Sequence, residues 1–106
     1  MKLLFAIVNR DDANTVVRNL SAQGFSSTKL TTSGGFLMSG NITLMVGVEE
    51  DKVQTVIDTI KLHSHSRSQL IPAGDLSFDF DTAQPLEVKI GGATIFVVDV
   101  DRFEKV

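Results

Sequence analysis

The sequence predicts an α+β fold in which two strand–helix–strand units build one antiparallel sheet, with both helices on the same side. Three observations carry this. Residues 3–8, LLFAIV, form an apolar run of strand length, and Ile42 to Val48 form a second. Each run leads into an amphipathic stretch, first Ala13, Val16, Val17 and Leu20, then Val53, Val56, Ile57 and Ile60, both at helical spacing. Laid over each other at an offset of forty residues, Val8, Asp11, Thr15 and Val16 meet Val48, Asp51, Thr55 and Val56.

The elements follow in order. The run 3–8 has no polar interruption, which suits a strand buried on both faces. Asp11-Asp12 offers an N-cap and first-turn carboxylates to the first helix, and Gly24 offers its C′ residue. FSSTKLTTSGGFL, 25–37, alternates in the manner of a strand. After Ile42–Val48, Asp51 is placed to cap the second helix, and SRSQLIPA, 66–73, gives a shorter strand ending near Pro72. Right-handed crossovers with antiparallel pairing between the units give a ferredoxin-like β-α-β-β-α-β sandwich.

Residues 73–85, AGDLSFDFDTAQP, break the pattern, with Leu76, Phe78 and Phe80 alternating between polar residues. They read as a functional or mobile insertion, or as an excursion that docks its phenylalanines on the body. PLEVKI and ATIFVVDV flank Gly91-Gly92, a two-glycine turn signal that predicts an extra C-terminal β-hairpin. Its edge strands need covering, which neighbouring subunits can do.

A chain of 106 residues suits a single domain, 1–106. It has no cysteine, which excludes disulfides, thiolate metal sites and a thiol nucleophile. The apolar start MKLLFAIV is too short for a signal peptide, and no window approaches the roughly 20 apolar residues of a membrane helix. A cytoplasmic protein with no membrane partner is expected. The formal net charge of −3 argues against DNA or RNA, whose polyanionic backbone calls for a basic face. A small nucleotide, with few charges to meet, stays open.

Catalysis finds little support. The histidines, His63 and His65, sit near the end of the second helix, where they suit its dipole better than a metal. Asp75, Asp79 and Asp81 match no calcium loop, and the glycine pairs match neither a P-loop nor a dinucleotide fingerprint. No enzyme activity, metal or cofactor is expected. TSGGFLMSGN, 32–41, is different, because it sets Phe36, Leu37 and Met38 between glycines. A glycine-rich loop brings backbone groups close to a ligand. Phe36 offers a nucleobase a stacking face, worth roughly 1–3 kcal/mol, and Leu37 can close the other side. Asn41 carries the paired donor and acceptor that read an adenine edge, and Thr28 and Lys29 can serve a phosphate. The competing reading is a hairpin tip whose apolar residues bury in a subunit interface.

At these residues the chain resembles a known family. TKLTTSGGFLMSGNITLMVGVE, 28–49, with MKLLFAIV and EVKIGGATIFVVDVDRF, is similar to the PII-like cyclic di-AMP receptors of Gram-positive bacteria over nearly the whole length. The resemblance implies a PII-like homotrimer of ferredoxin-like subunits that binds cyclic di-AMP in the clefts between neighbours. It implies signal transduction without catalysis, relayed through loops, 73–85 among them, to a downstream protein that it does not identify. It places Thr28 at a phosphate and Gly35, Phe36 and Leu37 over the base. Asn41 and the Gly47 backbone fall on adenine, and Phe96 makes a further apolar contact. Where the family commonly has asparagine and arginine, this chain has Gly24 and Ser26. A lost charge-assisted bond costs about 1.5–3 kcal/mol, so a weaker or altered ligand is one expectation. Two rivals share the architecture. A nitrogen-sensing PII protein binds ATP and 2-oxoglutarate, but its modifiable tyrosine has no counterpart in a chain without tyrosine. A metal-tolerance or structural trimer would use the Phe36 loop only to seal an interface.

Overall fold

LLFAIV becomes the centre of a four-stranded sheet. The computed structural model describes residues 1–30, 40–64, 66–71 and 86–106, with the backbone alone for 69–71 and 86–90. The elements run β1 (Lys2–Asn9), α1 (Arg10–Ala22), β2 (Thr28–Leu30), β3 (Asn41–Val48), α2 (Val53–His63), β4 (Arg67–Ile71), β5 (Leu86–Ile90) and β6 (Ala93–Asp99). The sheet order is β2-β3-β1-β6, every neighbour antiparallel, and β4 pairs with β5 in a separate two-stranded sheet.

One expectation is corrected here. The sequence reading gave the fourth sheet position to the strand around 67–71 and paired β5 with β6 across Gly91-Gly92. Instead β6 lies beside β1, with Phe5 opposite Phe96, and β5 returns along β4, with Arg67 opposite Ile90. The two glycines take positive φ, 80° and 79°, a backbone that other residues rarely adopt. They carry the chain from the β4–β5 arm back to the sheet. The ferredoxin-like pattern is kept, with the arm inserted before its last strand. The glycine loop at 32–40, less Gly40, the segment 73–85 and His65 lie outside the described residues.

The helix stripes fold as the spacing predicts. Ala13, Val16 and Leu20 of α1 and Val56 and Ile60 of α2 are buried against Leu4, Ala6 and Val8 of β1 and Leu44, Val46 and Val48 of β3. Both helices therefore cover one face. The caps differ from expectation. Asn9, not Asp11, caps α1, its Oδ1 accepting from the Asp11 N–H at 2.8 Å. Before α2 the residues Glu50–Lys52 form one 3-10 turn, so Asp51 lies inside the turn and no side chain caps the helix. The carboxylates of Glu50 and Asp51 still sit at the positive end of its dipole.

Gly24 closes α1 as expected. At φ 88° it lets its own N–H reach the Ser21 carbonyl at 2.9 Å and the Phe25 N–H reach Leu20 at 2.9 Å. This is a Schellman motif, completed by Phe25 packing on the core that holds Leu20. Asparagine is the next residue to tolerate this backbone, which gives the Gly24 departure a conformational reason.

Asp12, in the first turn of α1, is only 8% exposed. Arg67 of β4 grips it with both arms, Nη1 donating to Oδ2 at 3.2 Å and Nη2 to Oδ1 at 3.1 Å. This fork ties the base of the arm to the helical layer. At the far end of the sheet Lys2 donates to Asp99, joining β1 to β6.

Leu20→Ala removes a fully buried side chain and lowers stability by about 2–5 kcal/mol in urea unfolding. Gly24→Ala meets no neighbour within 4 Å, so its cost is backbone strain alone, about 1–2 kcal/mol. The hydrogen bond from Lys2, with its charge, holds the Asp99 carboxyl below its ordinary range. That contribution is present above the unfolded pKa and fades as pH falls through the lower folded one. Thermal melts over about pH 2–6 should show Asp99→Asn losing less stability in acid than the parent, with added salt narrowing the gap.

Candidate functional site

The sheet face away from the helices is apolar. Alternation from the buried Leu4, Ala6 and Val8 places Leu3, Phe5 and Ile7 on it, with Met45 and Gly47 from β3 and Phe96 and Val98 from β6. Phe96 is 46% exposed and Val98 42%. Thr28 and Leu30 extend the same face on β2, opposite Met45 and Thr43.

At one end of this face lies a cavity of about 400 Å³, within the range of small-molecule sites. Leu3 and Met45 make an apolar floor, and Ser26 and Thr28 supply hydroxyls. Gly47 continues the floor, while Met1, Val100 and Phe103 form walls. A second hollow of about 330 Å³ adjoins it, sharing Met1, Ser26 and Gly47 and adding Gly24, Phe25, Glu49 and Lys52. Among the described residues, Lys52 is the only lysine or arginine lining either hollow.

Gly47 is informative. Its backbone does not need positive φ, and a Cβ built there meets nothing within 4 Å. Folding of the described residues therefore does not require glycine at this position. What the missing side chain provides is open floor in the cavity.

The structure brings some expected residues together and separates others. Thr28 and Gly47 share the cavity. Asn41 pairs with Asn9 at the other end of the sheet. Six steps along β3 separate it from Gly47, about 20 Å at the rise of a strand. There it lines a hollow of about 130 Å³ with Ile7, Thr94 and the Gly91-Gly92 turn. Phe96 lies mid-face opposite Phe5, two strands from β3 and about 10 Å away. Lys29 follows Thr28 but points to the opposite, helical face, where its ammonium donates to Asn14 of α1. Gly35, Phe36 and Leu37 lie outside the described residues.

Ser26, Lys52 and Phe103 are wall residues that the motif reading did not assign to the site. Ser26 stands where the resemblance has an arginine. Lys52 and Phe103 come from a helix approach and a C-terminal segment distant in sequence, so only the fold brings them to Thr28. Among the described residues no cluster of three or more histidine, aspartate or glutamate side chains could hold a metal. Among them no helix is long and apolar enough to cross a membrane.

The family described as cyclic-di-AMP receptor matches residues 1–106, the whole chain. A solved structure described as a functionally unknown protein from Pediococcus pentosaceus ATCC 25745 is similar, with 41% sequence identity and a TM-score of 0.76 over 99% of this chain and 96% of that one. The family match over the full length, with a cavity at Thr28 and Gly47, leads to one conclusion: this chain belongs to the cyclic-di-AMP receptor family.

Proposed function

We propose that this protein is a non-catalytic receptor that binds cyclic di-AMP at subunit interfaces and passes the signal to a downstream protein through the segments 31–39 and 73–85. The observation that carries the reading is the Thr28–Gly47 cavity in a chain matched from end to end by this receptor family. The base sits over the open Gly47 floor. The Thr28 and Ser26 hydroxyls and the Lys52 ammonium meet phosphate. Phe36 stacks on a base, flanked by Gly35 and Leu37, and Asn41 reads an adenine edge. Lys29, turned toward α1, acts by holding β2 on Asn14.

The distance between Asn41 and Gly47 supports a site completed by a neighbour. About 20 Å of strand separates them within one chain, so one protomer's Thr28 end meets another's Asn41 and glycine loop. The uncovered apolar face, with Phe96 at mid-face, supplies the surface for a PII-like homotrimer. The cytoplasm, where a cyclic dinucleotide messenger circulates, is the matching location, and no enzyme activity, metal or cofactor enters the scheme.

Isothermal titration calorimetry with cyclic di-AMP should give saturable binding near one ligand per protomer. Gly47→Val should abolish it without lowering the melting temperature, since the new side chain enters open space. Phe36→Ala or Asn41→Ala should weaken it roughly tenfold. Heat with ATP or a divalent metal and none with cyclic di-AMP would overturn the reading in favour of another member of the superfold. Sedimentation equilibrium should return a trimer mass, and Phe5→Glu should shift it to the monomer. A monomeric parent protein would remove the shared cleft.

A further inference from the structure

We propose that Phe103, beyond β6, is the aromatic cover of the base held at Thr28 and Gly47, and so a residue that sets the site's affinity for a nucleobase. This rests on the cyclic-dinucleotide reading above and extends it to a segment that the reading does not use.

The course of the C-terminal segment is set before it reaches the cavity. Asp99, the last residue of β6, is held by Lys2, and the Val100 N–H donates to the Met1 carbonyl at 3.2 Å. Three residues later Phe103 is 63% exposed, yet its ring is a wall of the cavity. An exposed phenylalanine alone needs no explanation. This one shares a hollow with a glycine whose missing Cβ leaves open floor and with a threonine hydroxyl. A flat apolar ring, an open backbone floor and hydroxyls at the rim suit a planar heterocycle bearing a phosphate. A planar heterocycle gains face-to-face stacking from the ring, which an aliphatic ligand does not. Stacking on an aromatic side chain changes affinity roughly 5- to 150-fold per base.

The chain has neither tryptophan nor tyrosine, so Phe103→Trp introduces a single indole reporter. Cyclic di-AMP is titrated into Phe103→Trp while heat and indole emission are followed on matched samples. Phe103→Leu, which keeps apolar bulk but cannot stack, is titrated beside it. The expected result is an emission change saturating with the heat, and a roughly 5- to 150-fold loss of affinity in Phe103→Leu at unchanged melting temperature and sedimentation. Heat with flat emission, together with parental affinity in Phe103→Leu, places the ring off the ligand and overturns the proposal while leaving the receptor reading intact. A change in sedimentation of Phe103→Leu assigns the ring to a subunit contact and overturns it as well. No heat in the parent protein overturns the receptor reading itself, and this inference with it.

Discussion

β1 is apolar on both faces, so burial alone does not choose its register. Leu4, Ala6 and Val8 could exchange with Leu3, Phe5 and Ile7 by a one-residue slip and still meet apolar partners. The polar contacts at its two ends remove that ambiguity. Lys2 is held by Asp99 across the β1–β6 pair, and Asn9 is committed to the first turn of α1 through its side chain. Between these two locks every residue of β3 and β6 takes its place against β1. The helical face, the bare face and the positions of Gly47 and Phe96 all follow from that single register.

The division of the sheet into a closed face and a bare one links the fold to the function. The closed face contains the described core, with both helix stripes on β1 and β3. The bare face keeps apolar side chains that a solitary chain would leave in water. At its edge, where β2 and β3 meet the C-terminal segment, polar hydroxyls join the apolar floor and the surface becomes a cavity. In the proposed receptor, assembly and ligand binding thus draw on one continuous surface. The residues that differ from the resemblance, Gly24 and Ser26, border this cavity or its neighbour. Gly24 is explained by its backbone, and Lys52 across the same hollow offers a cation where Ser26 has none.

Much of this was legible in the sequence for specific reasons. The stripes of α1 and α2 repeat at helical spacing, so the helices and their shared side could be read directly. Gly24 was legible because a helix end calls for positive φ. Thr28 and Gly47 were found through a motif, and the fold places them together. What could not be read depended on pairing between distant segments. A two-glycine signal reads as a hairpin when only its neighbours are considered, yet β5 and β6 each pair elsewhere, with β4 and β1. Asn9 was overlooked as a cap because two aspartates followed it, although its position just before Arg10 is where capping geometry requires a short polar side chain. Lys52 carries no local motif, and Phe103, although it ends the stretch EVKIGGATIFVVDVDRF, has no spacing that ties it to Thr28.

The arm inserted between α2 and β6 begins and ends at adjacent points, since Arg67 stands opposite Ile90 at its base. Its two strands leave and rejoin the body side by side, and the Asp12–Arg67 fork anchors the departure point. An insertion attached in this way can lengthen, shorten or change composition without altering the spacing of the elements it interrupts. Closing a longer loop over a fixed gap costs little, about 0.6 kcal/mol for each doubling. The arm is therefore the part of this architecture best placed to diverge between species and to be grafted in engineering, while the Thr28–Gly47 cavity stays as it is.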